Sequence, residues 1–310
     1  MISSEALAAR LGTSVYRGIV VTVALMAFFV MVFASTMANV AIPNVMGTFG
    51  VGLDKAQFLT SAFLATNVTS LLANTWLIAR FGQPAIFSMC LIIFIFGSFI
   101  SSFSPTLDMI IFGRVIQGFG AGVIQPLIMV LLFEIFPPEK RGMAMGFFSM
   151  GVGFALGLAP ALGGIVVDLL GWRYVFLIPV PVALISLALG VIFVPERKGR
   201  TTAGSFDYLG YALMCGFVFC LMTILGNGQR WGWVSDNIFL ITVVLCLSFF
   251  GFIYSQRRPS GNLMDLDVFR NFRFCTVICI SFFYGMASFA QNYAFPIFSQ
   301  IVQGYTPTLA

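Results

Sequence analysis

The chain has 310 residues, of which 59% are hydrophobic, 15% aromatic and only 9% charged. Such a composition excludes a water-soluble globular protein, because the charge that remains is gathered between long apolar stretches. The net charge of +5 sits in short loops, where it orients a membrane protein and meets anionic lipid, and it makes no case for nucleic-acid binding.

A hydrocarbon core about 30 Å thick needs roughly 20 helical residues to cross it. Nine stretches are long enough: 19–43, 56–78, 85–104, 108–132, 143–168, 173–194, 206–225, 237–255 and 274–299. Each is continuously apolar and lacks the alternation of a membrane β-strand, so each is predicted to be a helix. The expected fold class is an all-α, polytopic membrane protein. No cleavable signal peptide is expected, since the first run is too long and no small-residue cleavage site follows it.

In chain order, span 1 ends in STMANVAIPNV, which carries Asn39. Span 2 places Phe63, Asn67, Ser70 and Asn74 on one face, a polar stripe that either ties a neighbouring helix or lines an aqueous path. Arg80 and Gly82 follow it. Span 4 reads IIFGRVIQGFGAGVIQPL, in which Arg114, Gly118, Ala121 and Gln125 share one stripe and Gln117 lies beside it. An intramembrane Arg is turned to a cavity or a partner, or else it snorkels; Arg114 is about 9 Å from the near edge of its span. Span 5, FALGLAPALGGIVVDLL, carries Gly157, Pro160, Gly163 and Gly164, small residues that let helix backbones approach and a proline that bends the helix.

Pro195–Asp207 reads as a linker after six spans, and Ser255–Phe274 separates a pair of spans from the ninth. The expected organisation is therefore a six-helix bundle over 1–195, a linker and extra helix pair over 196–258, and over 259–310 a loop with the first helix of an incomplete second bundle. Arg10, Arg17, Arg80, Lys140, Arg141, Arg197, Lys198, Arg200, Arg257, Arg258, Arg270 and Arg273 fall in one set of loops; Lys55, Arg173 and Arg230 fall in the other. This asymmetry predicts a cytoplasmic N-terminus and a periplasmic C-terminus.

The six cysteines all lie in or at the edge of spans, where they act as small apolar residues. There is no His, which removes histidine catalysis and histidine metal ligation. No metal, cofactor or enzymatic centre is expected, because no nucleophile, base and orienting partner can be assembled.

The span 4 text, the loop FPPEKRGMAMG, the span 5 text, STMANVAIPNV, and then FDYLG, RWGWVSD and LMDLDVFRNFRF keep a common order. Together they resemble the fourteen-helix drug:proton antiporter family of the major facilitator superfamily, across essentially the whole chain. The resemblance implies a bacterial inner-membrane exporter of hydrophobic or cationic small molecules, working by alternating access between two six-helix halves. It assigns Arg114 to proton coupling, and it makes Asn39, Asn67, Asn74, Gln117 and Gln125 the expected substrate or proton pathway. Arg80, Gly82, Gly118, Gly157, Pro160, Gly163 and Gly164 are the expected gating and packing residues. Five helices of the second half are absent, so the chain reads as truncated, as a portion of a longer protein, or as completed by a second chain.

The sequence departs from the family's pattern in three places. Thr75, Ala79 and Gln83 replace a Gly, an Asp and an Arg of the family's loop after span 2, and Ala34 stands where span 1 of the family has Asp. Ala155 and Ala159 replace the first two glycines of the span 5 motif. All 11 acids lie in loops or near span ends, leaving the implied proton coupling without an evident carrier. The competing expectation is a non-transporting, degenerate carrier that acts as a membrane interaction module or has no function.

Overall fold

A computed structural model describes residues 11–196, 205–258 and 263–308. Arg10 and the basic group Arg197, Lys198 and Arg200, on which part of the expected orientation rests, lie outside the described residues. Among the described residues, nine helices are long and apolar enough to cross a membrane, and no strand occurs.

The helices are α1 (Thr13–Phe49), α2 (Phe58–Phe81, preceded by the turn Leu53–Ala56), α3 (Gln83–Ser102), α4 (Leu107–Ile135) and α5 (Arg141–Leu170). They continue as α6 (Pro179–Phe193, preceded by the 3-10 turn Trp172–Phe176, with which it makes the sixth span, Trp172–Phe193), α7 (Tyr208–Trp231), α8 (Asp236–Gln256) and α9 (Phe272–Ile301). All nine expected spans are present, most of them longer at the ends than expected. α1 gains about a turn or more at each end, because backbone hydrogen bonding carries a helix beyond its apolar run into polar surroundings.

The connections follow from local chemistry. Gly82, at φ 85°, is the whole link between α2 and α3, a conformation that costs an L side chain energy. Thr106 caps α4 by accepting from the Met109 amide at 3.3 Å, and Asp207 caps α7 by accepting from the Gly210 amide at 2.8 Å. Asp207 also accepts from Ser255 Oγ and Gln256 Nε2, so one side chain joins the start of α7 to the end of α8.

α4 is the central helix, packed against α2 on one side and α3 on the other. Its glycines permit both contacts. A side chain at Gly122 would collide with the Asn67 carbonyl and the Ser70 hydroxyl of α2, and one at Gly113 with Ser101 of α3. α1 packs on α5 and α6, α7 packs on α8 and α2, and α9 packs on α1. In α5 the packed stripe is Ala155, Ala159 and Gly163, the last in contact with Met37 of α1. Gly157, also expected to pack, has open space around it among the described residues, because six residues of helix turn it about 120° from Gly163.

Gly122→Ala should therefore destabilise the folded protein by about 1–3 kcal/mol through overpacking. Gly157→Ala, in open space, should hold or raise the melting midpoint in detergent. Equal midpoints for the two variants would contradict the close α2–α4 contact.

Candidate transport site

The site is built around a charge that has nowhere else to go. Arg114 projects from the second turn of α4 and is 0% exposed, so it does not snorkel. Its Nε donates to the Leu59 carbonyl of α2 at 3.0 Å, and its Nη1 donates to the Ala34 carbonyl of α1 at 3.4 Å and to Gln117 Oε1 at 3.0 Å. Gln117 Nε2 in turn donates to Ser98 Oγ of α3 at 2.7 Å. The Phe63 ring of α2 covers the guanidinium, 4.1 Å from Cζ to the ring centroid. One cation thus connects four helices.

An intramembrane Arg costs at least about 2.5–3.5 kcal/mol. Hydrogen bonds to a charged group return roughly 1.5–3 kcal/mol each, and a desolvated cation–π contact returns about 2 kcal/mol. The partners are sufficient to hold the charge without a carboxylate, and none is offered. Every acid among the described residues is exposed except Asp207, which is half-buried at the α7 cap. Nη2 of Arg114 is buried without a hydrogen-bond partner.

Beside this cluster lies a cavity of about 790 Å³ between α1, α2, α4, α5 and α9, walled by Phe63, Asn67, Gln125, Pro160, Gln291 and Asn292 among others. A smaller extension of about 280 Å³ reaches Asn39 and Thr60. No charged side chain lines either space. Hydrogen bonds close the cavity toward the C-terminal ends of α1 and α9: Asn39 Nδ2 donates to the Asn292 carbonyl at 3.4 Å, and Gln300 Nε2 donates to the Val40 carbonyl at 3.2 Å. Beyond them Asp168 accepts from the Thr308 amide at 2.9 Å and from the Thr308 hydroxyl, while the Pro307 carbonyl lies against Gly164.

Of the residues singled out in the sequence, Arg114 and Gln117 form the buried cluster, and Asn39, Asn67, Gln125 and Pro160 line the cavities. Gly118 abuts the Phe63 carbonyl, and Gly164 lies where α5 meets the segment after α9. Asn74 is buried farther along α2, its Oδ1 without a partner. Arg80 is exposed at the end of α2. Gln83, at a position where the family has Arg, is fully buried and donates to Glu134 Oε2 at 3.0 Å, a tie between α3 and the last turn of α4. Sequence reasoning missed Ser98, whose only signal was a hydroxyl in a very apolar span, and it missed the backbone carbonyls of Ala34 and Leu59, which have no side-chain signature. Asn292 and Gln300, polar positions of span 9, went unassigned.

The sequence profile of the Major Facilitator Superfamily matches residues 24–310. Multidrug export protein EmrB of Escherichia coli strain K12 is 33% identical over 295 residues, 94% of this chain and 57% of its own length. EmrB of Haemophilus influenzae is 31% identical over 94% of this chain and 58% of its own. The chain therefore spans a little over half the length of these relatives. Among solved structures, the POT family transporter PepTSo superposes with a TM-score of 0.54 at 15% identity, covering 75% of this chain and 52% of that one, a likeness of fold.

Gln117→Leu breaks the relay from Ser98 to Arg114, leaving a buried hydroxyl and a guanidinium short of partners, and should cost about 1–3 kcal/mol. Gln125→Leu, on the cavity wall, should leave the melting midpoint in detergent near that of the unaltered chain. A midpoint unchanged by Gln117→Leu would contradict the relay.

Proposed function

The chain belongs to the Major Facilitator Superfamily, and on that premise we propose that it acts as an exporter of amphipathic small molecules by alternating access in the bacterial cytoplasmic membrane. The observation that carries this reading is the uncharged cavity of about 790 Å³ between α1, α2, α4, α5 and α9. Its size and its apolar wall with a few convergent amides suit a drug-sized ligand. The names of the EmrB relatives favour export of several compounds over uptake of one nutrient.

The six-helix bundle of α1–α6 forms one side of the transport path, and α9 begins the other. The pair α7 and α8 docks on α2 from outside: Gln57 Nε2 donates to the Gly226 carbonyl at 2.9 Å, and Arg230 pairs with Asp54 at 3.6 Å. With the N-terminus in the cytoplasm, as the basic asymmetry of the loops favours, the contacts of Asn39, Gln300 and Asp168 are an outer gate and the cavity belongs to an inward-facing state. Gly163 and Gly164 let α5 slide against α1 and the segment after α9 when that gate opens. These nine helices carry no protons by themselves, since no acid lies within them away from their ends.

Two measurements test the proposal. Alkaline phosphatase fused after Ala310 should be active and fused near Arg200 inactive; the reverse pattern would overturn the orientation. Cells lacking their own exporters, preloaded with Nile red, a neutral amphipathic dye, and washed free of it, should lose the dye faster when they express the chain. Loss at the rate of cells without the chain would contradict export.

A further inference from the structure

We infer that Asp207 and Gln256 form a release catch on the α7–α8 pair, which holds the segment leading into α9 while the cavity is open and lets it go when α9 swings in to close that side. This rests on the alternating access of the exporter reading above, and it gives the extra helix pair a part in it.

Three observations converge. First, one polar chain joins the starts of α7 and α9 to the end of α8. The Asp207 carboxylate accepts from the Gly210 amide at 2.8 Å, from Ser255 Oγ at 2.9 Å and from Gln256 Nε2 at 2.8 Å. Gln256 Oε1 then accepts from the backbone amides of Leu263 and Met264, each at 3.1 Å. Gln suits the middle place, since its amide donates on one side and accepts on the other. Ser255 and Gln256 are buried, and a side chain at Gly210 would strike both the carboxylate and the amide, so the contact is closely fitted. The bonds to the carboxylate are charge-assisted and those from Leu263 and Met264 are neutral. The catch therefore parts between Gln256 and the segment.

Second, the two sides of the catch belong to different bodies. α7 is fastened along α2, by Phe206 against Trp76 with ring centroids 4.9 Å apart and by the contacts of Gln57 and Arg230 described above, so the pair moves with the first bundle. The segment on the other side is built to pass a pull on to α9. Asp265 caps the turn Leu266–Arg270, and the next residue, Asn271, caps α9 by accepting from the Arg273 amide at 3.0 Å.

Third, α9 is seated at one end. Its buried residues are Pro296, Ile297 and Ser299, near the outer gate, whereas residues 276–284 are exposed and Ser288 and Phe289 line the cavity. The helix is thus a lever, with its pivot at the gate, its shaft across the cavity and the catch beyond its far end.

The test places spin labels on Met143→Cys and Phe272→Cys, exposed positions at the starts of α5 and α9, in the 310-residue chain with its six cysteines replaced by alanine and held in nanodiscs. Electron–electron double resonance reads their separation. The chain with its catch intact should give one main distance. Gln256→Glu sets two carboxylates against each other and Gln256→Leu removes the bonds on both sides; each should raise the share of a second, shorter distance about tenfold. Asp207→Asn added to Gln256→Glu reverses the direction of donation between the pair, leaves a carboxylate oxygen for Leu263 and Met264, and should restore the first distance. A clasp with no part in motion would lower the melting midpoint in detergent and leave the distances alone. Distances unchanged by Gln256→Glu and Gln256→Leu would overturn the catch, and so would a double variant that stays released. The two readings fail separately. Distances that respond as expected, with no faster loss of preloaded Nile red from cells expressing the unaltered chain, leave the catch standing while the exporter reading falls; faster loss of dye with unresponsive distances does the reverse.

Discussion

The structure depends on how a guanidinium survives inside a membrane bundle without a counter-ion. A charge buried in hydrocarbon must be neutralised, hydrated or surrounded by oriented dipoles, and this chain uses the third solution. Two backbone carbonyls, one side-chain amide and one aromatic face surround Arg114. Those carbonyls are free to serve a second donor because an oxygen in a helix has two lone pairs, only one of which its own helix needs. The planar fork of Arg suits several partners at fixed angles, which the point charge of Lys does not. The consequence is mechanical as well as electrostatic. α1, α2, α3 and α4 are held in one register by a single polar cluster, and the glycines of α4 allow the helices to come close enough to form it.

The same constraint shapes the cavity. With the positive charge drawn into the helix contacts, the space between α1, α2, α4, α5 and α9 is left with amides, hydroxyls and aromatic rings. Such a wall would bind by fit and apolar area, which suits the varied amphipathic ligands proposed for it. Closure lies at the C-terminal ends of α1 and α9, where Asn39, Gln300 and Asp168 make bonds to backbone groups or to a hydroxyl. The neutral bonds of Asn39 and Gln300 are individually weak, which suits the outer gate proposed there.

Much of this was legible in the sequence. Runs of continuous apolarity announced nine helices because lipid permits no other backbone, and the spacing of Arg114 and Gln117 along one helix marked a polar face while leaving open whether the Arg meets a cavity, a partner or the membrane edge. The partners of that cluster were not legible, since carbonyls of Ala34 and Leu59 belong to every residue alike. The face of α5 was only partly legible: a row of small residues marks a packing helix, but the row wraps around it, and the stripe of Ala155, Ala159 and Gly163 packs while Gly157 stands free. The departures from the family pattern carried the most information. Ala34 occupies the position of a lost Asp, and the structure sets the guanidinium of Arg114 against the backbone of that same residue.

A lone cation held by dipoles, with no acid beside it among the described residues, has no partner to pass a proton to, and on the reading proposed above these helices move none. Proton flux across liposomes is therefore the most direct measurement. Purified chain under an imposed pH gradient should show none when an amphipathic ligand is added, and Asp168→Asn should change nothing. Saturable proton flux that disappears in the Asp168→Asn variant would contradict it, by showing that an acid at the rim reaches the transport path and that the buried guanidinium does not work alone.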